Sequence, residues 1–279
     1  MRRLNNKYIR NFEQFLRENE KSCNTIGKYM RDIRFFSEWL KDNSVDKQRV
    51  IEYKGKLCKE YAPKSVNSML SSLNSLFAFL GWNELKVKTL KIQQQLFVSQ
   101  EKELSKAEYE KLLGAAKRKN NDKMYYLMQT ICSTGLRISE LEYITCDAIE
   151  REQAVINCKG KIRRVILPKK LCEILKCYMM KNNIKCGPVF ITKNGKPLER
   201  SAVWKMLKNL CKIAGVSPEK VFPHNFRHLF ARTFYSQRKD IVRLADVLGH
   251  TSINTTRIYT AETGENHRKQ LQMLGLLEH

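Results

Sequence analysis

The chain has 279 residues, of which 42% are hydrophobic and 29% charged; this is enough apolar material for one large domain or two smaller ones, and two are expected. Lys and Arg number 52 against 28 Asp and Glu, and the resulting net charge of +24 is spread along the chain. That distribution indicates a polyanionic partner, and nucleic acid is the candidate it favours most. The alternative is a soluble protein that is basic but has no polyanionic partner.

Composition also argues against membrane and disulfide-rich classes of protein. No apolar run reaches the roughly 18 residues that a membrane span requires, and no signal-peptide pattern is visible. The nine cysteines are odd in number and form no CxxC pair, so they predict reduced, packing thiols. We therefore expect a cytoplasmic protein with no membrane partner, no bound metal and no cofactor.

Residues 1–88 predict a small domain of four helices. Apolar residues recur at helical spacing near residues 8–15, 26–40, 46–58 and 63–77. Ser22 or Asn24 is the candidate N-cap of the second helix, and Pro63 suits the first turn of the fourth. The polar faces of these helices are rich in lysine and arginine.

Residues 89–103 separate this first domain from the rest of the chain. They show no clean hydrophobic periodicity and no cap, so we interpret them as a linker. A second domain, residues 104–279, then opens with the spacing of a capping box from Ser105 to Glu108.

The second domain combines helices with one β-hairpin. A helix that begins at Asp122 is expected to end at Gly135, a residue type that tolerates the left-handed conformation of a helix end. Residues 154–156 and 165–167 flank a Lys-Gly-Lys turn and predict a short antiparallel hairpin. Further helices are expected to begin around Leu171, Ser201, Pro223, Asp240 and Ser252. The fold class predicted is mainly α with a small antiparallel β-sheet.

The stretch PHNFRHLFARTF, residues 223–234, places two histidines and two arginines within one predicted helix. With proline in the first turn, His224 and Arg227 lie at positions i and i+3 and project from one face, while Phe226 and Phe230 can turn inward. A lone HxxR pair is more often a surface salt-bridge element, so its meaning depends on the other stretches of the chain.

Three further stretches supply matching residues. TGLRISEL contains Arg137 and Glu140, the hairpin turn contains Lys159, and LGHTSINTTRIYT contains His250 and, nine residues on, Tyr259. In chain order the pattern is Arg, Lys, HxxR, His and Tyr. This pattern resembles the tyrosine recombinase (phage integrase) family over essentially the whole second domain, and specifically the simple two-domain Xer-like or Cre-like members.

The residue types suit cleavage of a DNA phosphodiester without a metal. Such a reaction needs a nucleophile, positive charge for a pentacoordinate phosphorane and a proton for the departing sugar oxygen. The forked guanidiniums of Arg137 and Arg227 suit the two non-bridging phosphate oxygens, with their largest effect in the transition state. Tyr259 is the candidate nucleophile. Because a tyrosine hydroxyl has a reference pKa of about 10, cationic neighbours and an imidazole, assigned to His224, must help its proton leave.

The resemblance assigns the remaining roles in the site. It implies that Lys159 protonates the leaving 5′ oxygen, with Lys161 as the competing candidate in the same turn. It also implies that His250 donates to a phosphate oxygen and that Glu140 supports the arginines and histidine. His228, next to the HxxR pair, is interpreted as a supporting or packing residue.

The first domain is similar to the helical core-binding (SAM-like) domain that the family's simple members pair with an α+β catalytic domain to form a clamp around duplex DNA. Phosphate contacts would supply most of the affinity. The candidates for these contacts are Thr25, Lys28 and Lys64 in the first domain and Lys205 and Lys208 in the second. The implied partner is double-stranded DNA with inverted-repeat core sites, bound by a homotetramer that assembles from free monomers.

The expected function is that of a site-specific DNA recombinase, which forms a 3′-phosphotyrosyl intermediate and exchanges strands through a Holliday junction in integration, excision or resolution. Two alternatives stay open: a type IB topoisomerase that relaxes supercoils, and a DNA-binding protein without cleavage activity. Transposon, phage, plasmid and chromosome substrates are all compatible with the sequence.

The C-terminal tail predicts one more element. Leucines recur at helical spacing over residues 266–276, so this segment can form a short amphipathic helix that needs a surface on which to bury them. That surface is either the catalytic domain of the same chain or a neighbouring protomer.

Overall fold

The computed structural model describes residues 2–41, 43–92, 103–158, 161–192, 194–260 and 272–273. The chain divides into two compact units, Met1–Gln94 and Gln95–His279. The exact limits of the predicted linker stay a prediction, because most of residues 89–103 lie outside the described ranges. Among the described helices, none combines 18 or more residues with the hydropathy that a bilayer-crossing helix needs.

The described residues of the first unit are mainly helical, with one isolated antiparallel bridge between Arg2 and Val45. Its helices are α1 (Asn6–Glu18), α2 (Cys23–Leu40), α3 (Lys47–Glu60) and α4 (Pro63–Phe79), followed by a short 3-10 helix at Asn83–Leu85. The N-cap of α2 is Ser22, whose side chain accepts from the backbone N–H of Thr25, and Pro63 opens α4 as expected. The apolar faces of all four helices meet in one core that includes Phe12, Phe36 and Phe77.

The second unit contains eight α-helices and a two-stranded antiparallel sheet within its described residues. In chain order these are α5 (Lys106–Arg118), α6 (Asp122–Thr134), α7 (Cys146–Glu150), β1 (Gln153–Cys158), β2 (Lys161–Ile166), α8 (Lys169–Lys181), α9 (Arg200–Ala214), α10 (Pro223–Arg238), α11 (Ile241–Leu248) and α12 (Ile253–Thr260), with a 3-10 helix at Ile138–Tyr143 after α6. The predicted fold class, mainly α with a small antiparallel sheet, is confirmed. The capping box at Ser105 and Glu108 is also present.

The hairpin divides its side chains between two environments, because successive residues of a strand face opposite sides. Ala154 pairs with Val165, and both are buried. The alternate positions Val155, Ile162 and Ile166 are exposed. The buried face packs on the core of the unit, and this fixes which β2 residues point toward the helices.

The end of α6 shapes the candidate site. Gly135 adopts φ +67 and ends the helix, as the sequence predicts. A Cβ at this position would lie 2.5 Å from the ring of Phe230 and 2.9 Å from Leu248, so only glycine lets α6 end so close to α10 and α11. The chain that follows Gly135, which carries Arg137, is thereby held beside α10.

Candidate active site

Tyr259 lies on α12 in the interior of the second unit. Its side chain packs with Ala231 of α10 and with Leu244 and Leu248 of α11, and only 5% of the residue is exposed. The LGH stretch that joins α11 to α12 therefore folds the tyrosine back against α10, which carries the HxxR pair.

Three imidazole rings surround the ring of Tyr259. His228 meets it edge to face with centroids 4.6 Å apart, His250 stacks on it at 5.8 Å with an interplanar angle of 13°, and His224 lies at 6.3 Å. His224 and His228 are one turn apart on α10, with ring centroids 4.7 Å apart. The ring of His228, which the sequence suggested as a supporting residue, is thus closer to the tyrosine ring than that of His224.

The pKa values of all three histidines are lowered from the ordinary value. Burial is the main cause at His224, followed by the charges of Arg227 and Arg137. Burial and then His224 lower the pKa of His228 to about 4. Burial and then Arg227 lower the pKa of His250 to about 4. At neutral pH these imidazoles are uncharged, so each retains a nitrogen lone pair that can accept a hydrogen bond or a proton.

Arg227 lies on α10 and is almost completely buried, with 1% of the residue exposed. Its Nη1 donates to the carbonyl of Gly135 at 2.6 Å, and its Nη2 donates to the carbonyl of Leu248 at 2.8 Å. The same Nη2 lies 2.9 Å from Nε2 of His250. Burial and the charge of Arg137 lower the pKa of Arg227. The guanidinium is therefore fixed by three different elements.

Glu140, in the 3-10 helix after α6, joins three guanidiniums. Its Oε1 lies 2.8 Å from Nη1 of Arg137, its Oε2 lies 2.7 Å from Nη2 of Arg163, and Oε2 is 4.0 Å from Nη1 of Arg227. The carboxylate is 2% exposed, while 40% of the Arg137 side chain is exposed. One negative charge among three positive ones leaves a net charge of about +2, which favours an anion on the open side formed by Arg137.

Arg163 belongs to this cluster although the sequence did not single it out. It lies on β2, with 18% of its side chain exposed, and its Nη1 donates to the carbonyl of Val247 at 2.8 Å. Gly249 has φ +64, and a Cβ there would lie 2.5 Å from Cδ of Arg163. The sequence contains a signal that could have identified Arg163. Arg163 occupies the same strand face as buried Val165, and a charged side chain on a buried face needs partners.

Thr256 is the second site residue that sequence reasoning missed. It is completely buried on α12, and its Oγ1 lies 2.9 Å from Nδ1 of His250. Both ring nitrogens of His250 therefore have protein partners. The contact that would have identified Thr256 connects α12 to the preceding loop and cannot be read from local spacing.

The structure thus brings together Arg137, Glu140, His224, Arg227, His250 and Tyr259 of the predicted site. Lys159 lies outside the described residues, as does the side chain of Lys161, so the choice between them stays a prediction. Most of the predicted tail helix, residues 266–276, also lies outside the described ranges.

The predicted phosphate contacts of the first unit occupy different environments. Lys64 is exposed, and the hydroxyl of Thr25 lies 2.9 Å from that of Ser22 at the start of α2. Lys28 is engaged internally: its Nζ lies 2.8 Å from a carboxylate oxygen of Asp32 and donates to the hydroxyl of Ser72 at 3.0 Å. These contacts compete with any phosphate for the ammonium protons of Lys28.

The two candidates of the second unit lie on α9. Lys205 is exposed. Lys208 donates to the carbonyl of Pro218, and its Nζ lies 5.0 Å from the centre of the Trp204 ring, a cation–π contact. Of this pair, Lys205 has the more accessible ammonium group.

Comparisons with known proteins give matches in both units. The model described as "Phage integrase family" matches residues 102–266, and that described as "Phage integrase, N-terminal SAM-like domain" matches residues 9–84. The tyrosine recombinase XerA of Pyrococcus furiosus is 30% identical over 287 residues, which cover 99% of this chain and 96% of that protein.

Solved structures share the fold. A lambda integrase dimer bound to a COC′ core site superposes with a TM-score of 0.76 at 18% identity, covering 92% of this chain and 95% of that one. A lambda integrase tetramer bound to a Holliday junction gives a TM-score of 0.73 at 17% identity, covering 91% of this chain and 76% of that one.

Proposed function

Because this chain belongs to the phage integrase family and is a tyrosine-type site-specific DNA recombinase, we propose that Tyr259 is its nucleophile and that Arg137 and Arg227 hold the scissile phosphate. The observation that carries the proposal is the convergence of these residues: the tyrosine packs among three imidazole rings beside a buried guanidinium. Only a folded second unit brings together groups that are more than 120 residues apart in sequence.

The two arginines have different roles in the proposed binding of the phosphate. Arg227 is fixed by carbonyl groups and His250, so it needs little reorganisation when charge develops on a phosphate oxygen. Arg137 is partly exposed and paired with Glu140, which lets it meet an incoming DNA backbone. Their forked geometry suits the two non-bridging oxygens of one phosphodiester.

The proposed reaction exchanges one phosphate ester for another. The Tyr259 oxygen bonds to phosphorus, the bond from phosphorus to the 5′ oxygen breaks, and the product is a 3′-phosphotyrosyl linkage. The tyrosine proton passes to a neutral imidazole, with His224 assigned and His228 adjacent. Lys159, or Lys161 in its place, supplies the proton of the departing 5′ oxygen. Attack by the 5′ hydroxyl of a partner strand reverses these steps and rejoins the DNA.

The proposed substrate is double-stranded DNA with inverted-repeat core sites, bound by four copies of the chain that exchange strands through a Holliday junction. Support comes from the net charge of +24 and from the fold shared with a lambda integrase tetramer bound to such a junction. Exposed lysines, among them Lys64 and Lys205, are the proposed phosphate contacts, and their contribution weakens as salt is added.

The test is covalent trapping on a nicked suicide duplex whose sequence is first selected by binding to the protein. The parent chain should become covalently attached to the DNA. The Tyr259→Phe variant should bind the same duplex about as well and form no adduct, since only the attacking oxygen is removed. Tyr235→Phe changes a different tyrosine, which lies on α10 and packs against the same hydrophobic cluster; this variant is the control and should retain the adduct.

Three outcomes would separate the alternatives. Trapping together with strand exchange supports the proposal, whereas supercoil relaxation without exchange would indicate a topoisomerase, and binding alone would indicate a protein without cleavage activity. A covalent band in Tyr259→Phe would move the nucleophile elsewhere. A duplex with sulfur as the bridging 5′ atom should restore cleavage to the alanine variant of whichever lysine is the general acid, because a thiolate leaves without a proton.

A further inference from the structure

Arg163 of β2 joins the hairpin to two other elements of the second unit. Its Nη2 lies 2.7 Å from Oε2 of Glu140 in the 3-10 helix, and its Nη1 donates to the carbonyl of Val247 at 2.8 Å. Val247 lies in the last turn of α11, where backbone carbonyls have no partner within the helix and carry partial negative charge. Both terminal nitrogens of the guanidinium therefore bind acceptors within the protein.

The space around Arg163 fits its side chain closely. A Cβ at Gly249 would lie 2.5 Å from Cδ of Arg163, 2.7 Å from Nε and 3.1 Å from Cζ, so the side chain passes over a residue that has none. Only 18% of the Arg163 side chain is exposed. The guanidinium is thus held by the protein, and we infer that it acts on DNA through its neighbours.

Glu140 divides its two oxygens between two arginine side chains. Its Oε1 accepts from Nη1 of Arg137 at 2.8 Å. Its Oε2 accepts from Nη2 of Arg163 and from the backbone N–H of Arg137 at 2.8 Å. A guanidinium has five N–H donors, and the bond to Oε1 uses one of those that Arg137 has. Arg163 therefore balances the carboxylate from the side of the hairpin, while Arg137 retains donors for an incoming anion.

We propose that Arg163 is a positioning residue, which binds Glu140 and balances its charge so that Arg137 keeps its positive charge for the scissile phosphate. The inference rests on the proposed role of Arg137. Without Arg163, the net charge of Glu140 and the two remaining arginines is about +1 instead of about +2. The attraction for a phosphate, and for the charge that develops in the transition state, is weaker as a result.

The first experiment measures how strongly the site responds to the charge of one phosphate. The Tyr259→Phe chain is titrated with a set of core-site duplexes, each of which carries one uncharged methylphosphonate in place of a phosphate. The position that Arg137 contacts is the one at which the methylphosphonate weakens binding in this chain but not after Arg137→Ala. At that position the charged duplex should bind about tenfold more tightly, and Arg163→Met should reduce the preference to about threefold or less.

Three substitutions at position 163 separate charge from bonding. Arg163→Met and Arg163→Gln both remove the charge, although glutamine keeps an amide that can donate to Glu140. Arg163→Lys keeps the charge on a single ammonium group. If Arg163 supplies charge, the lysine variant should retain most of the preference and both uncharged variants should lose it. A merely structural role would instead make the lysine and glutamine variants alike. Arg163→Gln also replaces Arg163→Met if the methionine variant does not fold.

Arg164→Met is the matched control for these substitutions. Arg164 is the next residue of β2 and is exposed on the opposite face of the strand. The control removes the same charge from the chain, and it should leave the preference for the charged duplex at the parental value. An equal effect of Arg164→Met would mean that net charge alone is responsible, and the proposal would be wrong.

The second experiment measures the rate of covalent adduct formation on the suicide duplex at saturating protein. Arg163→Met should slow this step by about tenfold to a hundredfold, less than the roughly 10²- to 10³-fold loss typical of a direct contact, and Arg163→Lys should recover most of the loss. A parental rate for Arg163→Met, or an unchanged preference in the binding experiment, would overturn the proposal.

The binding experiment also distinguishes this inference from the proposed function. If the preference at one phosphate depends on Arg137 but survives Arg163→Met, only the inference about Arg163 fails. If no phosphate shows a preference that depends on Arg137, the proposed role of Arg137 fails and the inference fails with it. If the parent forms no covalent adduct, the proposed reaction fails, and the binding experiment still decides the role of Arg163.

Discussion

Replacing Glu140 by glutamine should destabilise the second unit more than any other change of a single charge in the site. The substitution preserves shape and one oxygen acceptor but leaves three guanidiniums without their carboxylate. At an effective dielectric constant of about 20, each of the pairs at 2.8 and 2.7 Å corresponds to about 6 kcal/mol before desolvation is subtracted. Removing one partner of a buried ion pair typically costs about 3–5 kcal/mol, which is the loss expected for Glu140→Gln.

Bound DNA should reduce this loss, because a phosphate restores negative charge beside Arg137 and Arg227. Calorimetry of the full chain should therefore show a melting temperature lowered by about 6–20 °C without DNA, at about 2–4 °C per kcal/mol for a unit of this size, and by clearly less with a core-site duplex. Linkage then requires Glu140→Gln to bind DNA at least as tightly as the parent. Cleavage should nevertheless be slower, since Arg137 is no longer oriented.

Glu142→Gln is the matched control, because Glu142 is an exposed residue of the same 3-10 helix and should melt like the parent. The reasoning would be refuted if Glu140→Gln melted within about two degrees of the parent, or if DNA left the difference unchanged. The first result would mean that the guanidiniums do not need the carboxylate, and the second that no phosphate approaches them.

Two further predictions follow from the same cluster. Gly249→Ala should lower the free energy of unfolding in urea by about 1–3 kcal/mol. Gly215→Ala is the control, because both glycines end helices at nearly equal φ, +64 and +63. Only a Cβ at position 249 would collide with Arg163, so Gly249→Ala should be the more destabilising of the two. Stability should also fall as the pH drops from about 6.5 toward 4, since the unfolded chain then binds protons that His228 and His250, with pKa values of about 4, do not. Each histidine contributes about 1.2 kcal/mol per pH unit near pH 5.5, so His228→Gln should reduce the measured slope by that amount, and an unchanged slope would contradict the assignment.

Local signals in the sequence predicted most of the fold. The Ser105 cap, the αL glycine at position 135 and Pro223 each act within one helical turn, and the structure has all three features where the sequence placed them. The hairpin was predictable for the same reason, because alternation along a strand is a property of adjacent residues. The sequence therefore predicts those elements whose boundaries depend only on residues adjacent in the chain.

Arg163 and Thr256 were not predicted, and the reason is physical. Each owes its role to a partner on another element: Arg163 to Glu140 and Val247, and Thr256 to a ring six residues earlier that the α11–α12 turn folds back. Nothing in the local composition distinguishes this threonine from Thr255, its exposed neighbour. Only the fold makes one a buried hydrogen-bond partner and leaves the other at the surface.

The two arginines that we propose to hold the phosphate differ in their supporting contacts, and this difference matters for the proposed catalysis. A free guanidinium has all five of its N–H donors available, but it must lose side-chain entropy and reorient when charge develops on the phosphate. The carbonyls of Gly135 and Leu248, together with His250, meet that requirement during folding. Arg137 keeps an exposed side chain held by a single carboxylate, so it can adjust to the DNA as it arrives. In the proposed reaction, one rigid and one adaptable donor would allow the site to accept a phosphate and still be organised for the transition state.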